Sequence, residues 1–202
     1  MDARLLPIAG PNPPERADAV RNRGLILEAA RRILNDRGVD GLTMDLLAAE
    51  AGVGKGTIFR RFGSRSGLLL TLLNEFETDF QRRFMSGPAP LGPGALPIER
   101  LVAFGRERLA LLEVQGDLLR AAEERPDLRY ASAPRAAGAM HIHILLNQAG
   151  YDGDTAVLAF TLLSSLDATV VLYENRSANM SMQRLADGWE DVVRRVTAPR
   201  AS

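Results

Sequence analysis

The stretch from Thr43 to Phe62, TMDLLAAEAGVGKGTIFRRF, reads as two short helices joined by a glycine turn, and the rest of the chain is placed relative to it. Thr43 is a good N-cap, and Leu46, Leu47, Ala48 and Ala51 put apolar side chains at helical spacing over Met44 to Ala51. Gly52 suits the left-handed residue that closes a helix, Val53 can plug the angle between helices, and Gly54 can cap the next. In the second helix, Lys55 to about Arg61, Ile58 and Phe62 turn inward at i, i+4. That leaves Lys55, Gly56, Thr57, Phe59, Arg60 and Arg61 largely outward. A basic face with a small residue on a short helix suits the DNA major groove, where helix-turn-helix units lay the start of their second helix against base edges. The competing reading is an ordinary helical hairpin with a solvated basic face.

Charge supports the first reading. The chain of 202 residues has a formal net charge of +0. Residues 21–65 nevertheless hold nine basic residues (Arg21, Arg23, Arg31, Arg32, Arg37, Lys55, Arg60, Arg61, Arg65) against five acids (Glu28, Asp36, Asp40, Asp45, Glu50), so this segment is +4 and the remainder −4. A basic module on an acidic body suits a DNA reader, because neutralising phosphates supplies most non-specific affinity. With no cysteine, disulfide frameworks, thiolate metal sites and thiol nucleophiles are excluded, which fits a cytoplasmic protein. MDARLLPIAGPNPPER lacks a cationic start followed by a long apolar run, so no export signal is read. The apolar stretch from Ala156 to Tyr173 contains Thr161, Ser164, Ser165, Asp167 and Thr169, too polar for a membrane span.

A longer pattern, Ile26-Leu27-Glu28-Ala29-Ala30, Arg37-Gly38, Thr43, Ala51 through Phe59, Phe62, Ser64-Arg65 and Leu68, resembles the DNA-binding domain of the tetracycline-repressor family over residues 21–85. The chain departs from that family's usual residues at Leu34, Gly54 and Phe59, and Arg60 and Arg61 are placed to supply replacement contacts. The resemblance implies an all-α homodimer that binds double-stranded DNA through its N-terminal helices and an unknown small-molecule effector through a helical C-terminal domain. It implies a transcriptional regulator, most readily a repressor on a palindromic operator, and no enzyme. Thr43, Thr57, Phe59 and Arg65 are then phosphate candidates and Lys55, Gly56 and Arg60 base-edge candidates. A helical enzyme or ligand carrier with a vestigial motif is the alternative.

Along the chain, residues 1–20 carry Pro7, Pro11, Pro13 and Pro14 and suggest a mobile arm, either an inert tail or one from which Arg16, Arg21 or Arg23 reaches a minor groove. Helices are expected over about Val20 to Arg37, stopped by Gly38, and Arg65 to Phe84, capped by Ser64. Residues 86–97, SGPAPLGPGALP, read as the linker between a DNA-binding domain (21–85) and an effector and dimerisation domain (98–202). There, helices are expected at Ile98 to Gln115, broken by Gly116, then Asp117 to Arg125, Ser132 to Ala149, Thr155 to Glu174, and Met182 to Val196. No run alternates at period two, so no sheet is expected.

Two helices carry seams. Leu163, Leu166, Val170 and Tyr173 in one, and Leu185, Trp189 and Val192 in the other, recur at three-four spacing and suggest a two-fold four-helix interface. Arg106, His141, His143, Asn147, Ser164 and Asp167 interrupt apolar helices and are candidates for an effector cavity, with Asp167 foremost. His141 and His143, at i, i+2, point to different sides of a helix and cannot share a metal. Glu123-Glu124 and Glu107/Glu113 show no acid and base arrangement, and Gly54-Lys55-Gly56-Thr57 lacks the spacing of a phosphate loop. No metal and no cofactor are expected.

Overall fold

The computed structural model describes residues 13–122 and 133–198, with the side chains of 13–17 and 119–122 left aside. The first twelve residues of the expected arm, the Arg16 side chain and the Glu123-Glu124 pair lie outside what is described. The described residues form nine helices and no strand: α1 (Pro13–Arg37), α2 (Met44–Ala51), α3 (Lys55–Phe62), α4 (Arg65–Ser86), α5 (Pro97–Ala122), α6 (Ala133–Gln148), α7 (Thr155–Ser165), α8 (Ala168–Arg176) and α9 (Met182–Val196). The chain is all-α, as the missing period-two alternation implies. The first helix begins seven residues earlier than expected, because proline at the first helical position gives up a hydrogen bond that the helix start never makes.

Two compact units divide between Leu68 and Leu69, inside α4. In the first, Ile26, Leu27, Ala29, Ala30 and Ile33 of α1 are buried together with Leu42, Leu47, Ile58, Phe62 and Leu68. The core of the second joins Phe80 and Phe84 of α4 to Leu101, Phe104, Leu109 and Leu112 of α5, Ile142, Leu145 and Leu146 of α6, Leu162 and Leu163 of α7, Val171 of α8, and Trp189 and Val193 of α9. Leu91 is buried in that same core. The stretch 86–97, read as a linker from its prolines and glycines, is therefore packed into the second unit, and the division falls upstream of it.

Two helix boundaries differ from the sequence reading, each for a packing reason. Gly116 does not break α5, which runs through it to Ala122. A Cβ there would lie 2.7 Å from Leu172 Cδ2, so the glycine marks a close approach of α8 rather than a stop. The helix expected from Thr155 to Glu174 is two helices, α7 and α8, bent by 44° at Leu166-Asp167. Asp167 is the N-cap of α8, its carboxylate accepting from the Thr169 N–H at 3.0 Å. Among the described residues no single helix is long and apolar enough to cross a membrane, although this bent pair passes by length and composition.

Candidate nucleic-acid interface and effector site

In the first unit the local geometry follows from caps. Thr43, extended at φ −104° and ψ 153°, accepts from the Leu46 N–H at 3.2 Å and starts α2. Gly52 ends α2 at φ 64°, a left-handed conformation that costs a residue with a Cβ about 1–2 kcal/mol. Its own N–H and that of Val53 then satisfy the last carbonyls of α2, at Ala49 and Ala48. Gly54 opens α3 with no side-chain cap.

This turn rolls α3 so that Ile58 and Phe62 are buried and Lys55, Gly56, Phe59, Arg60 and Arg61 are exposed, with Thr57 half-buried. Nothing stands within 4 Å of where a Gly56 Cβ would be, so this face is open to close approach. Its cations are held loosely. Lys55 pairs with Asp45 at 2.7 Å, both well exposed, and Arg60 reaches Thr57 Oγ1 at 3.3 Å. Exposed pairs of this kind are worth about 0–1 kcal/mol, so an incoming phosphate or base edge can replace them. Arg61 donates to the Ala19 carbonyl and ties the end of α3 to α1.

Arg65 differs from the phosphate role expected of it. It is half-buried, donating from Nε to Leu42 O at 2.8 Å and from Nη2 to Val39 O at 2.5 Å. A cation at a helix start opposes the helix dipole. Here two backbone carbonyls of the loop before α2 provide the compensating negative charge, so Arg65 anchors that loop to α4.

The second unit separates the residues expected to share an effector cavity. Arg106 lies between α5 and α9, paired with Asp187 at 2.6 Å and Glu190 at 2.7 Å. Arg194 and Arg106 together hold the Glu190 carboxyl below its ordinary range. Ser164 donates to Phe160 O at 2.8 Å and receives Arg135 at 3.2 Å, while Arg135 also lies 3.9 Å from Asp167, so these polar groups satisfy one another around the α7–α8 bend. Asn147 is exposed near the end of α6, bonded to His143 O at 2.9 Å and 3.1 Å from His143 Nε2.

Asp167 is buried at the α7–α8 bend, and the member of that set stacked among the aromatic rings of the core is His141. It is 7% exposed and stacks on Phe84 with ring centres 4.4 Å apart, with Phe104 at 5.5 Å. Burial, aided by the charge of Arg100, pushes its pKa down to about 4. The sequence reading passed over Arg100, whose signal was its place four residues before Phe104, on the apolar side of α5. Among the described residues no group of three or more His, Asp or Glu side chains is arranged to hold a metal ion.

The expected dimer seams also divide. Leu163, Leu166 and Trp189 are buried within the unit, and Leu185 packs against the same core. Trp189 donates from Nε1 to Leu101 O at 3.2 Å and lies over Gly105, where a Cβ would overlap the indole. Val170, Tyr173 and Val192 are exposed, and so are Val157 and Phe160 of α7. Exposed apolar side chains thus lie on both α7 and α8, while α9 turns Met182, Ala186, Trp189 and Val193 inward and leaves Val192 outside.

Residues 26–72 match the family described as bacterial regulatory proteins, tetR family. The chain is 37% identical over 71 residues to an HTH-type transcriptional regulator of Staphylococcus aureus, a match covering 33% of this chain and only 38% of that protein. Among solved structures, a TetR-family transcriptional regulator from Pectobacterium atrosepticum superposes with a TM-score of 0.70 at 22% identity, covering 92% of this chain and 99% of that one. The transcriptional regulator FadR from Bacillus subtilis, in complex with stearoyl-CoA, superposes with a TM-score of 0.64 at 17% identity over 85% of this chain and 97% of that one. The fold, an N-terminal helix-turn-helix followed by a helical C-terminal domain, is shared with both.

Proposed function

We propose that this chain, which belongs to the TetR family of bacterial regulatory proteins, binds a DNA operator as a homodimer and responds to a small molecule held in its helical C-terminal domain. The observation that carries the DNA-binding part is the outward face of α3. A buried Ile58 and Phe62 on one side leave Lys55, Gly56, Arg60 and Arg61 exposed on the other, behind a turn fixed by Gly52. Lys55, Gly56 and Arg60 are assigned to base edges. Thr43, Thr57 and Phe59 are assigned to the phosphate backbone, with Arg65 supporting the loop that carries Thr43.

A second copy is assigned to the apolar face of α7 and α8, where Val157, Phe160, Val170 and Tyr173 expose side chains that a monomer would leave in water. Two-fold pairing matches what a palindromic operator requires, with half-sites about 34–36 Å apart. A neighbour of the same fold is known in complex with stearoyl-CoA, which supports a small-molecule effector for this chain. Occupancy shifts DNA binding only if the ligand prefers one of two arrangements of the dimer.

Selection of bound genomic fragments by the purified protein, followed by footprinting, tests the reading. A protected palindrome bound by two chains is expected. Protein that retains no fragment at low salt would overturn it.

A further inference from the structure

Four half-buried arginines of the second unit, Arg83, Arg106, Arg108 and Arg135, each have a carboxylate no farther than 3.9 Å away. Arg100 is also half-buried, and among the described residues no acid pairs with it. Its Nη2 donates to Phe84 O at 3.1 Å, and its Nε is buried with no hydrogen-bond partner. The ring of the same Phe84 covers His141, whose Nε2 is likewise buried and without a partner. Phe80 and Phe104 complete the surroundings, with ring centres 5.3 and 5.4 Å from that of Phe84. Phe84 therefore meets both groups, its carbonyl accepting from Arg100 and its ring lying on His141, so that a cationic N–H and an imidazole nitrogen, each able to form another hydrogen bond, flank one residue.

Leaving such groups unmatched costs about 1–3 kcal/mol each, more for a charged one, so native interiors hold few of them. A neutral guest would answer the hydrogen bonds and leave the arginine without an ion pair. A carboxylate answers both, because a guanidinium edge binds it through charge-assisted hydrogen bonds. The aromatic rings supply an apolar wall for the rest of such a molecule. We propose that Arg100 and His141 form a carboxylate-binding site in the helical unit, taking a small monocarboxylate whose apolar body lies against Phe80, Phe84 and Phe104. This assignment rests on the reading that the helical domain holds an effector, and it names the effector's chemical class. The bound anion also favours the charged imidazole, raising the pKa of His141 from its depressed value.

The chain has two histidines, so imidazole nitrogen NMR on the full-length protein reports on the site directly, with His143→Gln assigning the signals. Benzoate and octanoate are the probes, against benzamide, octanamide and inorganic phosphate. Either carboxylate is expected to shift the His141 signals saturably below about 10 mM, a weak small-ligand affinity, while the amides and phosphate leave them in place. Arg100→Gln should weaken carboxylate binding about ten- to a hundredfold, the range for losing a charge-assisted hydrogen bond. Circular dichroism checks that this variant folds. If it does not, Arg100→Lys, which keeps the charge without the Nε edge, serves in its place with a smaller expected loss. Absence of a saturable shift with both carboxylates overturns the site, as do equal shifts from the amides or from phosphate, or unchanged affinity in the folded Arg100 variant. Operator binding is measured on the same samples. Intact DNA binding without a carboxylate shift sinks this site alone, whereas lost DNA binding in the wild type sinks the regulator reading and leaves the NMR result to stand by itself.

Discussion

Helices α3 and α7 each bury one apolar side, and they differ in what they leave outside. In α3, Ile58 and Phe62 face the core while Lys55, Arg60 and Arg61 project outward. In α7, Ala159, Leu162 and Leu163 face the core while Val157 and Phe160 project outward. Lys55 and Arg60 have weak surface pairings that a polyanion can replace, and exposed charge costs little in water. The outward side chains of α7 gain about 25 cal/mol for each Å² a partner covers. The inward faces build the fold, and the outward ones differ in what could cover them without loss: a charged, hydrated surface suits α3 and a dry one α7, which is the assignment proposed above.

The largest expected effect breaks a helix that belongs to neither face. Trp189→Ala removes an indole packed over Gly105 and bonded to Leu101, so it should cost about 3–5 kcal/mol of fold stability. Thermal melting checks this. A variant that melts like the wild type but no longer dimerises would return Trp189 to the interface where its spacing first placed it.

The second pair sharpens the role of α3. Arg60→Ala should lose about 1–3 kcal/mol of affinity on the cognate operator and relax sequence preference. Arg65→Ala should destabilise the first unit by about 1–3 kcal/mol, through the unmatched carbonyls of Val39 and Leu42. Anisotropy titrations on cognate and scrambled duplexes, alongside melting curves, separate the two. Equal loss on both duplexes with unchanged melting for Arg65→Ala would restore it to the phosphate contacts.

A third expectation concerns pH. His141 is held neutral in the folded chain with a pKa of about 4, against 6.5 when unfolded. Its contribution is therefore fully present above 6.5 and is lost as pH falls toward 4, at up to about 1.4 kcal/mol per pH unit. Denaturant midpoints for His141→Phe should fall less steeply over that window than those of the wild type. The smallest effect is Asp45→Asn, which frees Lys55 and should change stability by about 0–1 kcal/mol while leaving DNA affinity equal or tighter.

What was legible in the sequence was local. The bounds of α2 and α9 follow from caps within three residues, Thr43 to Leu46 and Ser181 to Arg184, and from the left-handed Gly52. The outward set on α3 follows from a period of 3.6 over a single short helix. The rest depended on distant partners. The break at Leu166-Asp167 lies in an apolar run, and Arg135, which helps fix Asp167 there, is 32 residues away. The rotation of α9 is decided by Gly105, since a seam at three-four spacing serves a partner chain or its own core equally well. Arg65 found its partners on a loop 23 and 26 residues upstream. Arg100 became visible only once α4 had placed Phe84 beside it.

The central claim, that the outward face of α3 engages DNA, is tested most directly by the salt dependence of operator binding for the wild type and a Lys55→Ala/Arg60→Ala double variant. Wild-type log affinity should fall linearly with log salt concentration, and the double variant should bind more weakly with a slope shallower by about one to two. Equal affinity and equal slope in a folded double variant would contradict the account, because DNA would then be held by some other surface of the chain.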